Sequence, residues 1–222
     1  KGLAGVNCLA YGDFPEVEND FSDKSLQLPA GAIINGNLNE VFEVDARDPE
    51  QIQEFVDHSW YQYPDQTKGL HPWDGITEQK YEFAKGSEGT ATKFQWLTPD
   101  GKYSWIKSPR WRGHMMEVGP LARLVIGIAK NVPHIKEPAL DLLKELNLPL
   151  EAAFSTLGRH AARALECRWA AGKLVQYVDD LTANIKAGDA AAANMEFWEP
   201  SPWPRECKGV GLCEAPRGAL AH

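Results

Sequence analysis

Two stretches of the chain carry residues whose types and spacing could do chemistry. The first is YSWIKSPRWRGHMMEVGPLAR, residues 103–123, where Lys107, Arg110, Arg112 and His114 gather in an otherwise acidic chain. Trp105, Trp111, Met115 and Met116 interleave with these charges, so the loop reads as half buried and its guanidinium groups need partners. A solvated basic loop is the plainer alternative. Glu117 leads into a helical pattern whose N-terminus could face an anion or the polar edge of a cofactor. The second stretch is CEAPRGALAH, residues 213–222. Pro216 fixes its own φ and biases Ala215 toward an extended conformation. Gly218 permits close backbone approach. Arg217 is thereby held on a rigid turn between small residues, which suits a fixed hydrogen-bond donor over a reactive centre. A surface arginine in a turn is the competing reading.

Other chemistry is sparse. Cys8, Cys167, Cys207 and Cys213 are the only cysteines, and no C-x-x-C pair exists. A self-contained zinc or iron–sulfur site wants tighter spacing, and a disulfide scaffold wants more cysteines. Four reduced, packed thiols are expected. Eight tryptophans stand out, several beside proline in HPWD, FWEP and SPWP. Rigid loops capped by aromatics against the core are expected, with an exposed platform for a sugar or partner as the alternative. The formal net charge of −8 argues against binding nucleic acid or an anionic bilayer. No apolar run is long enough to span a membrane, and the first residues lack the pattern of a leader peptide.

The elements that must position these residues follow from periodicity. Residues 31–35 and 40–44 read as two short strands around an Asn35-Gly36 turn. Asp48-Pro49-Glu50 should open a helix, with Ile52, Phe55, Val56 and Trp60 on its stripe. Residues 62–101 read as a long excursion or a wrapping segment, with a hairpin expected at 93–97 and 102–106 around Pro99-Asp100-Gly101. The second half is helical. Glu117–Lys130 carries Val118, Leu121, Leu124, Val125 and Ile128 on one stripe. A short helix follows at 139–146, ended by Asn147 and Pro149. Residues 151–187 form one long helix or two abutting ones, stopped at Gly188. The expected fold is α+β and helix-dominated: a long-helix bundle with short strands and long wrapping loops, in a single domain, residues 1–222. The apolar Ala-Leu-Ala run before His222 suggests a fragment of a longer protein.

Taken together, the motifs resemble the large, catalytic subunit of nickel–iron hydrogenases. WIKSPR at 105–110 and GHMMEVGPLAR at 113–123 are similar to an internal motif of that subunit. EAPRGALAH at 214–222 is similar to its medial active-site motif. Supporting matches are GAIINGN at 31–37, VDHSWY at 56–61, GLHPWDG at 69–75 and ANIKAGD at 183–189. The resemblance runs in order along nearly the whole chain and is closest to the membrane-bound uptake type.

The resemblance implies a central fragment of an oxidoreductase that converts H2 reversibly to protons and electrons. In the family, two C-x-x-C pairs near the ends of the subunit hold the nickel–iron centre with its diatomic ligands. Neither pair is present here, so no metal ligand is expected in this chain and the fragment alone should be inactive. The arginine of the medial motif falls on Arg217, read as catalytic. A guanidinium is a poor base, so electrostatic stabilisation is its expected role. Ala215, Pro216 and Gly218 should line the active site, and His222 should close the motif structurally. Lys107, Arg110, Arg112 and His114 are candidates for the face toward the small subunit, which carries iron–sulfur clusters. A membrane cytochrome and a place at the cell membrane, on its periplasmic side, are further implications. A metal-free scaffold that kept the bundle and lost catalysis is the alternative function.

Overall fold

The computed structural model describes residues 6–17, 20–64, 69–79, 104–191, 193, 195 and 198–222. These fall into two compact units, one of residues 1–41 and 118–222, the other of residues 42–117.

The first unit is built around a buried helix. β1 (Cys8–Pro15) and β2 (Leu26–Ile33) form an antiparallel pair in which Cys8 faces Ile33 and Pro15 faces Leu26. Both pack on α1 (Pro120–Ala129). Every residue of α1 from Pro120 to Ile128 is buried. The expected stripe is therefore present but is only part of a helix enclosed on all sides, as an all-round apolar sequence requires. Gly127 makes this possible on one face, since a Cβ there would meet Ile135 Cγ2 at 2.7 Å. α2 (Pro133–Glu145) starts six residues before the expected short helix, because Pro133 suits a first helical position. A 3-10 turn (Leu150–Phe154) then leads to α3 (Thr156–Lys186), a single 31-residue helix. Ser155 caps it, accepting the Gly158 amide at 3.0 Å.

The three α-helices among the described residues end alike. Asn131, Asn147 and Gly188 have φ of 57°, 53° and 95°. In each case the next amide reaches back to the carbonyl five residues earlier: Val132 to Gly127, Leu148 to Leu143, Asp189 to Asn184. These left-handed stops are local chemistry, which is why Asn147 and Gly188 were legible as ends.

The chain closes with a hairpin of β7 (Leu212–Ala215) and β8 (Gly218–Ala221). Its base is sealed by Gly211 and His222, whose amides and carbonyls pair at 2.8 and 2.9 Å.

The second unit corrects one element. β3 (Ile52–Phe55) pairs antiparallel with β6 (Ser108–Trp111) where the pattern predicted a helix. Asp48 does organise a turn: its side chain accepts the Glu50 amide at 2.8 Å and its carbonyl accepts the Gln51 amide at 3.0 Å. The turn stops there because Ile52 and Phe55, good strand residues, find a partner strand about fifty positions later. Short β4 (Tyr61–Gln62) and β5 (Glu78–Gln79) pair nearby in sequence.

A second correction concerns Asn35-Gly36. Both residues take positive φ, 52° and 66°, and Asn37 N–H donates to the Ile34 carbonyl at 3.0 Å, as in a type I′ turn. Yet residues 40–44 do not pair with β2, and Phe42 alone in that stretch lies in a bridge. β2 is instead occupied by β1, and Gly36 N–H donates to the Val6 carbonyl. The hairpin expected at 93–97 and 102–106 lies almost wholly outside the described residues. Two packing expectations also fail: Cys167 and Cys207 are exposed, not packed, and Trp73, Trp198 and Trp203 are exposed.

Candidate functional site

The structure places Arg217 at the tip of the β7–β8 hairpin, in the two-residue turn Pro216-Arg217. Ala215 and Gly218 are paired directly across it. Pro216 and Arg217 are exposed, Ala215 is half-buried and Gly218 is buried. Tight hairpins favour positive φ at the turn, which proline cannot adopt and Arg217 does not. A two-stranded hairpin of four-residue strands is marginal by itself. This one is held from outside.

The holding residue is Arg123, in the middle of α1, with a side chain 1% exposed. Its Nε and Nη2 donate to the two Glu166 oxygens of α3 at 2.8 and 2.6 Å. Its Nη1 donates to Glu214 Oε2 at 2.7 Å and to the Ala215 carbonyl at 3.1 Å. Nη2 also donates to the Pro216 carbonyl at 3.4 Å. The five N–H donors of the guanidinium thus meet five acceptors. Glu214 is tied on its other side to β1. Its Oε1 accepts the Tyr11 amide at 2.6 Å, and its own amide donates to Asp13 Oδ2 at 2.7 Å.

The electrostatics follow from one cation between two carboxylates. Burial works against the charge of Arg123, but its bonds to Glu166 and Glu214 outweigh that and hold it above the usual guanidinium range. Burial pushes the Glu214 carboxyl up, against the pull of Arg123 and the Tyr11 amide.

Sequence reading missed Arg123, Glu166 and Glu214 as a set. A signal existed: an arginine inside PLARLVIGIA has no reason to sit in an apolar helix unless buried acceptors await it.

The basic stretch lies in the second unit. Lys107 is already paired, its Nζ 3.2 Å from Glu54 Oε2. Arg110, on β6, donates through Nη1 to the Pro109 carbonyl at 2.8 Å. Arg112 is exposed, takes φ 46°, and lies 4.9 Å from the Trp111 ring centroid. His114 is exposed, and its backbone forms a bridge with Trp111. His222 is exposed, and its backbone seals the hairpin base.

A family model described as nickel-dependent hydrogenase matches residues 1–222. The chain belongs to the nickel-dependent hydrogenase family. Among curated relatives, it is 61% identical over 221 residues to the uptake hydrogenase large subunit of Bradyrhizobium diazoefficiens, covering 100% of this chain and 37% of that protein. It is 52% identical to the hydrogenase-1 large chain of Escherichia coli strain K12, with the same coverage. Among solved structures, the Ni-Fe-Se hydrogenase from D. vulgaris Hildenborough in the reduced state superposes with a TM-score of 0.66 at 29% identity, over 100% of this chain and 39% of that one. The chain therefore spans little more than a third of the length of these hydrogenase relatives. Its described residues do not fit a nickel ligand set: no three His, Cys, Asp or Glu among them converge as a metal site. Cys8, Cys167, Cys207 and Cys213 form no disulfide among the described residues.

Proposed function

We propose that residues 1–222 form one domain of the large subunit of a nickel–iron hydrogenase of the membrane-bound uptake type. The whole enzyme oxidises H2 reversibly to two protons and two electrons. The observation that carries this reading is the family match along the entire chain, with EAPRG folded as a braced turn. The nickel–iron centre with its diatomic ligands is held by cysteines outside this stretch. Electrons pass to iron–sulfur clusters in a small subunit, and from there to a membrane cytochrome. The complex works at the cell membrane, on its periplasmic side.

In this reading Arg217 supplies a fixed positive charge beside the reacting site. A guanidinium stays protonated under all ordinary conditions, so it acts as an electrostatic post and hydrogen-bond donor. Ala215, Pro216 and Gly218 line the site with small groups and backbone. Lys107, Arg110, Arg112 and His114 face the small subunit, with Lys107 kept in place by Glu54. His222 has a structural role at the hairpin base.

The test is expression of the complete subunit with its small-subunit partner, followed by nickel analysis and H2-dependent reduction of a viologen dye. Bound nickel and two dye electrons per H2 are expected. A purified complex with neither nickel nor H2-dependent reduction would overturn the reading.

A further inference from the structure

We propose that Arg123 is the positioning residue for Arg217: its buried guanidinium grips the carbonyls of the turn that carries Arg217 and so sets the direction in which that side chain leaves the backbone. The proposal rests on the reading of Arg217 as the functional arginine.

Four observations converge on it. First, Arg123 bonds the carbonyls of Ala215 and Pro216, the two residues immediately before Arg217. The Pro216 carbonyl lies in the peptide plane that enters Arg217 and the Ala215 carbonyl in the plane before it, and together they orient the Arg217 Cα–Cβ bond. Second, the turn has no internal support of the favoured kind, since it begins with proline and lacks positive φ. Third, Arg123 is itself immobilised from the opposite side by the bidentate fork to Glu166 on α3. A clamp must be anchored at both ends, and this one is. Fourth, β1 completes the frame through Tyr11 and Asp13, both bonded to Glu214. The backbone that Arg123 holds sets the direction in which the Arg217 side chain starts.

Lysine cannot replace Arg123. An ammonium has three donors from one point, whereas this site uses five donors spread over a planar fork. Arg123→Lys would keep the buried charge between the two carboxylates and lose the grip on the turn. A catalytic group displaced by a fraction of an ångström loses much of its effect. A purely structural clamp makes a different statement: it would hold α1, α3 and the hairpin together without affecting what Arg217 does.

The experiment uses the full subunit assembled with its partner and compares Arg123→Lys, Arg217→Lys and the double variant. Three quantities are read: nickel per subunit, H2 oxidation per nickel, and hydrogen exchange of the 212–221 segment. With Arg123→Lys, nickel is expected to be retained, exchange in 212–221 to quicken about tenfold, and turnover per nickel to fall at least about tenfold. In the Arg217→Lys background the same substitution should cost less than about twofold more, because the group it positions is already gone. Effects that multiply, or faster hairpin exchange with unchanged turnover, would overturn the proposal. If Arg123→Lys fails to assemble, Glu166→Gln loosens the far anchor while leaving the turn bonds. It should quicken hairpin exchange and lower turnover per nickel, each about threefold, and no change in either also overturns the proposal. A parent complex without H2 oxidation defeats the functional reading instead. The exchange measurement still judges the clamp, which falls if 212–221 is protected equally with and without Arg123.

Discussion

Gly119 and Arg217 stand so close that a Cβ on Gly119 would lie 2.5 Å from the Arg217 carbonyl oxygen. Gly119 also has φ 106°, a conformation L side chains rarely adopt. On the next strand a Cβ on Gly218 would meet Val118 Cγ2 at 2.3 Å. The hairpin tip is therefore seated on the entry to α1, backbone against backbone. Gly119→Ala should destabilise the protein by about 1–3 kcal/mol from backbone strain alone. Gly172→Ala is the control: it has nothing within 4 Å and sits in α3, so it should stabilise by about 0.5–1 kcal/mol. Denaturation of the two variants beside the parent, each in the full subunit assembled with its partner, checks both signs.

Arg217→Lys keeps a positive charge on the turn and loses the planar fork. Removing one preorganised electrostatic contact costs about 10²–10³ in turnover. That loss in H2 oxidation is expected with nickel content and subunit assembly unchanged. A structural arginine gives the reverse pattern, with metal or assembly lost and turnover per site intact. Nickel analysis beside the rate separates them.

Arg110 and Arg112 should weaken assembly when reversed in charge. An interfacial charge left without its partner costs on the order of 2–5 kcal/mol. Arg112→Glu is the cleaner probe, because Arg112 is exposed and its guanidinium lies over the ring of its neighbour Trp111. Reduced co-purification with the small subunit is expected from either variant. Unchanged yield of the complex would remove this stretch from the interface.

Glu214 gives the hairpin a pH dependence. Burial raises its folded-state pKa above the ordinary glutamate value, which is about 4.3. A carboxyl raised by folding contributes stability that is present below the unfolded value. That contribution is lost as pH rises through the folded value. The opening free energy of the β7–β8 hairpin, from hydrogen exchange corrected for intrinsic rates, should therefore fall as pH rises above the ordinary value. Glu214→Gln should flatten that slope. Equal slopes in parent and variant would show that another group governs it.

Past Gly172, α3 presents Leu174, Val178, Leu181 and Ile185, each more than half exposed. A contiguous apolar strip on a soluble surface binds partners or aggregates. Residues 1–222 expressed alone should bind a hydrophobic dye strongly and unfold without a sharp transition. Replacing Leu174, Val178 and Leu181 together by Glu should lower the dye signal. A sharp cooperative melt with little dye binding in the parent would contradict this.

Local chemistry was legible in the residues alone. Asn147 and Gly188 end their helices because left-handed φ suits them and the stop needs only backbone groups within a few positions. The placement of Pro216-Arg217 in a turn was legible for the same reason, as was the turn at Asn35-Gly36. The motifs also carried the family, since they occur in order along the whole chain.

What the residues could not decide was which distant groups would meet. Ile52–Phe55 has a period compatible with a helix, and its strand identity comes from Ser108–Trp111. Arg123 reads as an oddity in an apolar helix until its acceptors arrive from 43 and 91 positions away. A buried guanidinium is tolerable only where several acceptors converge on it. Such convergence is a property of packing among α1, α3, β1 and the hairpin. Pro216 and Gly218 put Arg217 in a turn by local chemistry, whereas the brace that holds the turn comes from Arg123, 93 positions before Pro216, and exists only once the chain has packed.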